Sequence, residues 1–262
     1  MGTYYAAIIV SWVHQDEVPP RLAAAIMNYL LTPLEDHFDR GFGAVADSFK
    51  SAADQILEGL GTSRMLDEHM PAAFLYRHAA ELYLKSAIII FHRYFNLPYG
   101  TSPSSSEPQV KVGARWKSMY QVHSLVHLFG YWHTLLNGHQ SELAATTRTD
   151  WSLPETLPLL VAEVEDLDPL STFFRYPVSG RPDRDAEKSL NRADSYGDIM
   201  ARMGPGEPYV KALVVLGEDG EVRRAYQYDD TKAAAMVAKV QALAGLLWSL
   251  HAAMRGELTG GW

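Results

Sequence analysis

The stretch Phe74-Leu75-Tyr76-Arg77-His78-Ala79-Ala80-Glu81-Leu82-Tyr83-Leu84-Lys85 holds the densest set of groups able to do chemistry. Residues four apart share one face of a helix, so Arg77, Glu81 and Lys85 form a charged stripe with His78 and His92 at its border. Around it stand Leu75, Ala79, Leu82, Tyr83, Ser86, Ala87 and Ile90. A charged stripe on so apolar a helix must face water, a cleft or a buried ion network. As a buried ladder, Arg77–Glu81–Lys85 would be structural. In a cleft, Arg77 would hold an anion, His78 and His123 would move protons near neutral pH, and Glu81 and Lys85 would line the substrate site.

A second candidate is Phe173-Phe174-Arg175-Tyr176-Pro177. The phenyl groups anchor this segment, so Arg175 is held in place as a clamp for a phosphate or carboxylate, with Tyr176 beside it. The alternative is a buried pair of Arg175 with Glu81, which predicts one polar network of Arg77, Glu81 and Arg175. His123 and His127 have the spacing of two metal ligands, but Ser124 stands where a zincin motif needs Glu. Glu163, Glu165, Asp166 and Asp168 read as solvated charge rather than a cation site, and no metal or cofactor is expected. Arg181, Arg184, Lys188 and Arg192 make the next segment basic, for a partner or for solubility. Gly41-Phe42-Gly43 and Gly204-Pro205-Gly206 lack the strand–turn–helix setting of a phosphate loop, and no Gly-x-Ser-x-Gly elbow occurs.

The elements that must position these groups are mostly helical. Helices are predicted over Arg21–Leu31, Gly43–Leu60, Met70–Phe95, Met119–Leu143 (one or a pair), Pro154–Asp166 and Thr231–Glu257, from apolar spacing and from stops such as Asn96-Leu97-Pro98. Thr101–Pro108 reads as an exposed loop and Pro177–Pro208 as a long surface loop. Tyr209–Leu216 and Val222–Tyr228 around Asp219-Gly220 read as a hairpin. The expected class is mainly α: a helical bundle with a small β-hairpin near residues 209–228. Residues 1–62 are expected to be a helical segment packing on a core domain of 63–262. The apolar run Tyr4–Val13 is too short to span a bilayer and lacks the flanks of a signal peptide, so it reads as a buried strand or first helical turns.

The chain has 262 residues, 47% hydrophobic and 21% charged, enough for a sizeable core. With no cysteine, thiolate nucleophiles, thiolate metal sites and disulfides are excluded, and a reducing, cytoplasmic setting without membrane is expected. A net charge of −8 argues against a general nucleic-acid coat but leaves room for a local basic cleft.

Three segments in order resemble the HEPN family of prokaryotic helical domains. They are Arg77-His78-Ala79-Ala80-Glu81-Leu82-x-Leu84-Lys85, His123-Ser124-Leu125-Val126-His127-Leu128, and Asp168-Pro169-Leu170-Ser171-Thr172-Phe173-Phe174-Arg175-Tyr176-Pro177. The resemblance implies a bundle found in toxin, abortive-infection and phage-defence systems, many of whose members are metal-independent ribonucleases that contact RNA or nucleotides. It also implies a homo- or hetero-oligomer, with another defence protein as the hetero partner, for which the C-terminal helix offers a wide apolar face from Met236 to Met254. The family signature, Arg and His with four to six residues between them, is matched by Arg64 and His69, ahead of the long helix rather than on a later one. Other members lack the signature and act as binding or scaffolding domains, and that is the alternative reading here.

Overall fold

The computed structural model describes residues 32–59, 68–100, 107–178, 180, 182–203 and 211–261. The run Tyr4–Val13, the helix expected over Arg21–Leu31, Arg64, Arg181 and most of the Ser/Pro loop lie outside them. The described helices are α1 (Phe42–Gly59), α2 (His69–Tyr94), α3 (Leu125–Gly138), α4 (Gln140–Thr146), α5 (Thr156–Leu167), α6 (Pro182–Asp185), α7 (Tyr196–Ala201) and α8 (Thr231–Leu258). The strands are β1 (Gln109–Val112), β2 (Arg115–Ser118), β3 (Asn191–Asp194), β4 (Ala212–Leu216) and β5 (Val222–Tyr228). The chain is mainly α with small β appendages, as the sequence predicts.

Helix α2 is the axle. Apart from His78, every residue from Tyr76 to His92 is buried, because α1, α3 and α8 all pack against it. Ala72, Ala73, Ala79, Ala80 and Ala87 of α2, Ala46 and Ala53 of α1, and Ala233 and Ala244 of α8 are buried at these contacts. Small side chains let helix backbones approach closely. Tyr76 and Tyr83 donate to Asp54 Oδ1 (2.6 Å) and Asp47 Oδ1 (2.7 Å) of α1. Pro71 sits in the first turn, where its missing N–H costs nothing. At the other end the Leu97 amide donates to the His92 carbonyl and Asn96 takes φ 50°, a left-handed stop of the Schellman type.

α8 has the length and hydropathy of a membrane-crossing helix. Its apolar residues Met236, Val237, Val240, Leu243, Leu247 and Met254 are instead buried inside this chain, against α2 and α5. The face from which self-association was expected is therefore largely occupied within the chain.

Three expectations need correction. The helix expected from Met119 starts at Leu125, after a short 3-10 turn at Met119–Gln121, because the Ser124 side chain accepts from the His127 amide and caps the helix there. Segment 109–118, left without an element, is the hairpin β1–β2. Residues 177–208 are not one surface loop: they hold α6, α7 and β3, and β3 pairs with β5 to make an antiparallel sheet in the order β3-β5-β4.

Candidate functional site

The charged stripe is a buried ion network. Arg77, Glu81, Lys85 and Asp168 are all within 3% of full burial. Glu81 Oε2 accepts from Arg77 (2.9 Å), and Oε1 accepts from Lys85 (2.8 Å) and from Nδ1 of His123 (3.0 Å). Arg77 also donates to the His123 carbonyl (2.7 Å). Its Nε lies 3.5 Å from Asp168 Oδ2, too long for a hydrogen bond but short for unscreened charges. Asp168 uses Oδ1 to accept the amides of Thr172 and Phe173. Burial alone would push the Glu81 carboxyl up; the adjoining Lys85 and Arg77 charges and the bond from His123 overcome it and hold the carboxyl below its ordinary value. Two cations and two anions thus neutralise one another where α2, the entry to α3 and the exit from α5 meet.

The candidate catalytic residues separate. His78 is half-buried, its ring 4.7 Å from that of Phe49 and 5.9 Å from that of Phe74, and desolvation holds its pKa below the ordinary value. His69 is buried, and its Nε2 lies 3.0 Å from the Lys188 carbonyl oxygen, so it donates there. Its intended mate, Arg64, is outside the described residues. His123 keeps chemical capacity. Its side chain is 52% exposed, Nδ1–H is committed to Glu81, and Nε2 has no protein partner among the described residues. His123 precedes α3, so it and His127 are not one turn apart on a helix. Among the described residues no three His, Asp or Glu side chains are grouped to hold a metal.

Arg175 does not join the network; Asp168, 91 positions from Arg77, takes that place beside it. Arg175 is exposed, its guanidinium 5.5 Å from the Phe74 ring centroid. It stands on a cleft of about 550 Å³ lined by Met70, Pro71, Phe74, Phe174, Tyr176 and Lys188, among others. Phe173 and Phe174 are buried and anchor the segment as expected, while Tyr176 is 50% exposed. Lys188 is part of the wall: it donates to the Tyr176 carbonyl (2.9 Å) and pairs with Asp185 (2.8 Å). The other cations of this region are also committed. Arg184 donates to the Asp166 and Leu167 carbonyls at the end of α5, and Arg192 pairs with Asp229. Arg175 and Arg184 have no carboxylate within salt-bridge range among the described residues, but Arg184 is held by its two carbonyls, and no hydrogen bond is formed by the Arg175 side chain among the described residues.

No family model, curated protein or solved structure matches this chain. The site must therefore be read from its geometry.

A second polar cluster escaped the sequence. Ser86 donates to Asp39 Oδ2 (2.6 Å), which also accepts the Gly43 amide, and His251 Nδ1 lies 3.1 Å from the Ser86 oxygen. With the hydroxyl proton on Asp39, the imidazole donates to Ser86. That is the reverse of a nucleophile dyad, in which His accepts from Ser. All three are buried, and a Cβ at Gly43 would collide with the His251 ring. Asp39, Ser86 and His251 come from three distant segments whose spacing carries no signal. The acidic cluster also proves mixed. Glu163 pairs with Lys239, Glu165 accepts the Leu125 amide at the start of α3, and Asp168 is buried.

Proposed function

We propose that this chain is a HEPN-like helical component of a prokaryotic defence or toxin system that binds RNA or a nucleotide at the Arg175 cleft. The carrying observation is Arg175 itself, a cation without a carboxylate partner among the described residues, set on an aromatic-lined cleft. The cleft has the size of a small-ligand site. Unstacked bases are held by aromatic and guanidinium planes, and phosphates by bidentate Arg. The HEPN-like part of the reading is supported by the meeting of all three resembling segments at Arg77. Binding is preferred to cleavage because Arg77, His78 and His69 are held by other groups.

Titration with AMP and with a short single-stranded RNA, followed by fluorescence anisotropy, tests the reading. Saturable binding is expected, weakened about tenfold or more by Arg175→Ala and by Tyr176→Ala. The salt dependence should be shallow, with a log–log slope on the order of −0.7 to −1.4 for one or two phosphates. Equal affinity in Arg175→Ala would remove the cleft from consideration.

The Glu81–His123 pair favours a second reading, a metal-independent ribonuclease. A buried carboxylate on Nδ1 orients an imidazole whose Nε2 is open, the arrangement of a general base. RNA cleavage in EDTA that is lost in His123→Ala would support it; no cleavage by the intact protein would leave binding alone.

A further inference from the structure

Among the described residues the sheet β3-β5-β4 has two edges of opposite character. The β3 edge, Asn-Arg-Ala-Asp, is short and charged. The β4 edge, Ala212-Leu213-Val214-Val215-Leu216, has no charge and no proline; the one register shift of its ladder, at Val215/Leu216, places the extra residue, Arg223, on β5, and Leu213, Val215 and Leu216 are 55%, 40% and 59% exposed. Proteins guard exposed edges with the devices that β3 has and β4 lacks. The Tyr228 amide donates to the Lys211 carbonyl, and the Gly217 amide to the Glu221 carbonyl. Inward bonding at 211 and 217 means, by alternation, that Ala212, Val214 and Leu216 direct their amides and carbonyls away from the sheet.

We infer that β4 is a homodimer interface, pairing antiparallel with β4 of a second copy about a twofold axis at Val214. In that register the outward groups meet in reciprocal bonds, Val214 with Val214 and Ala212 with Leu216. On one face Leu213 lies across from the partner's Val215. The charges agree. Lys211 flanks one end of β4 and Glu218 the other, so antiparallel pairing sets each Lys211 near the other copy's Glu218. A parallel pairing would stack the acidic Glu218-Asp219 turns on each other. The product is one continuous sheet through both copies with a charged β3 at each outer edge, an isologous, closed assembly. This surface is separate from the Arg175 cleft, and the inference does not depend on nucleotide binding.

The test is the mass of the full chain by light scattering at micromolar concentration. A two-chain mass is expected. Val214→Pro deletes an outward donor without breaking a β4–β5 bond, so it should give a one-chain mass with unchanged helical circular dichroism. Leu213→Lys with Val215→Lys opposes like charges across the axis and should also give one chain. Leu213→Glu with Val215→Lys opposes unlike charges and should restore two. A one-chain mass for the native protein overturns the inference. So does a two-chain mass that survives both disrupting variants, which would place the interface elsewhere.

Discussion

At Glu81, one carboxylate answers two buried cations and an imidazole. Glu81→Ala would leave Arg77 and Lys85 without that charge in a site where neither can reach water, and the expected loss is about 3–5 kcal/mol in urea-induced unfolding. A loss below about 1 kcal/mol would mean that the network is hydrated. The titration of the buried groups gives a second expectation. Burial holds the pKa of His251 below its ordinary 6.5 despite the opposing charges of Asp39 and Asp47, and burial also lowers His78 and His92. Below pH 6.5 the unfolded chain therefore takes up protons that the folded chain refuses, so stability falls with pH. Glu81 acts in the same direction lower down: its stabilising charge is present above its ordinary 4.5 and is lost as pH falls through the depressed folded value. Melting temperature should drop steadily from about pH 7 to pH 5, and His251→Gln should flatten part of that drop. The residue chemistry was half legible. The spacing of Arg77, Glu81 and Lys85 marks a ladder, but its closure by Asp168 depends on a contact that no local pattern encodes. Arg175 was misplaced for a related reason: its aromatic neighbours do anchor the segment, yet the tight turn at Phe173–Arg175 sends the guanidinium to the cleft rather than to Glu81.

Among the elements, the long helices were readable because their apolar spacing and their stops are local signals. The Asn96 stop is one of them, and it permits a measurement. Asn tolerates a left-handed backbone better than other non-glycine residues, so Asn96→Ala should cost about 1 kcal/mol while Asn96→Gly should be neutral or stabilising. Chemical denaturation of the pair would show equal effects only if the α2 stop were immaterial. The strands divide in the same way. β4 and β5 are joined by a tight turn at Asp219-Gly220, with Gly220 at φ 78°, and were visible as a hairpin. β3 is four residues, three of them polar, whose strand character comes from lying beside β5, a partner far along the chain. β1 and β2 are equally brief, and Gly113 at φ 60° is their only strong local mark.

For the molecule as a whole, the bundle class follows from composition and periodicity, whereas the meeting point of its parts does not. Arg77 reaches carbonyls 46 and 91 positions away, at His123 and Asp168. That joint has a consequence in time. A contact between segments so far apart cannot form until the chain between them has been brought into place, and closing long loops is the slow, late part of folding. Pairing of α2 with α1, its neighbour along the chain, can precede it, since that contact closes a much shorter loop and buried alanines need no single partner. The Arg77–Asp168 contact should then be absent from the folding transition state. Asp168→Asn, which keeps the shape and removes the charge, should speed unfolding by nearly its whole effect on stability and leave the folding rate almost unchanged. A stopped-flow chevron with the two arms moved equally would instead put the joint in the folding nucleus. On the expected result, the ion network acts as a latch on the finished bundle, setting how long the protein stays folded rather than how fast it gets there.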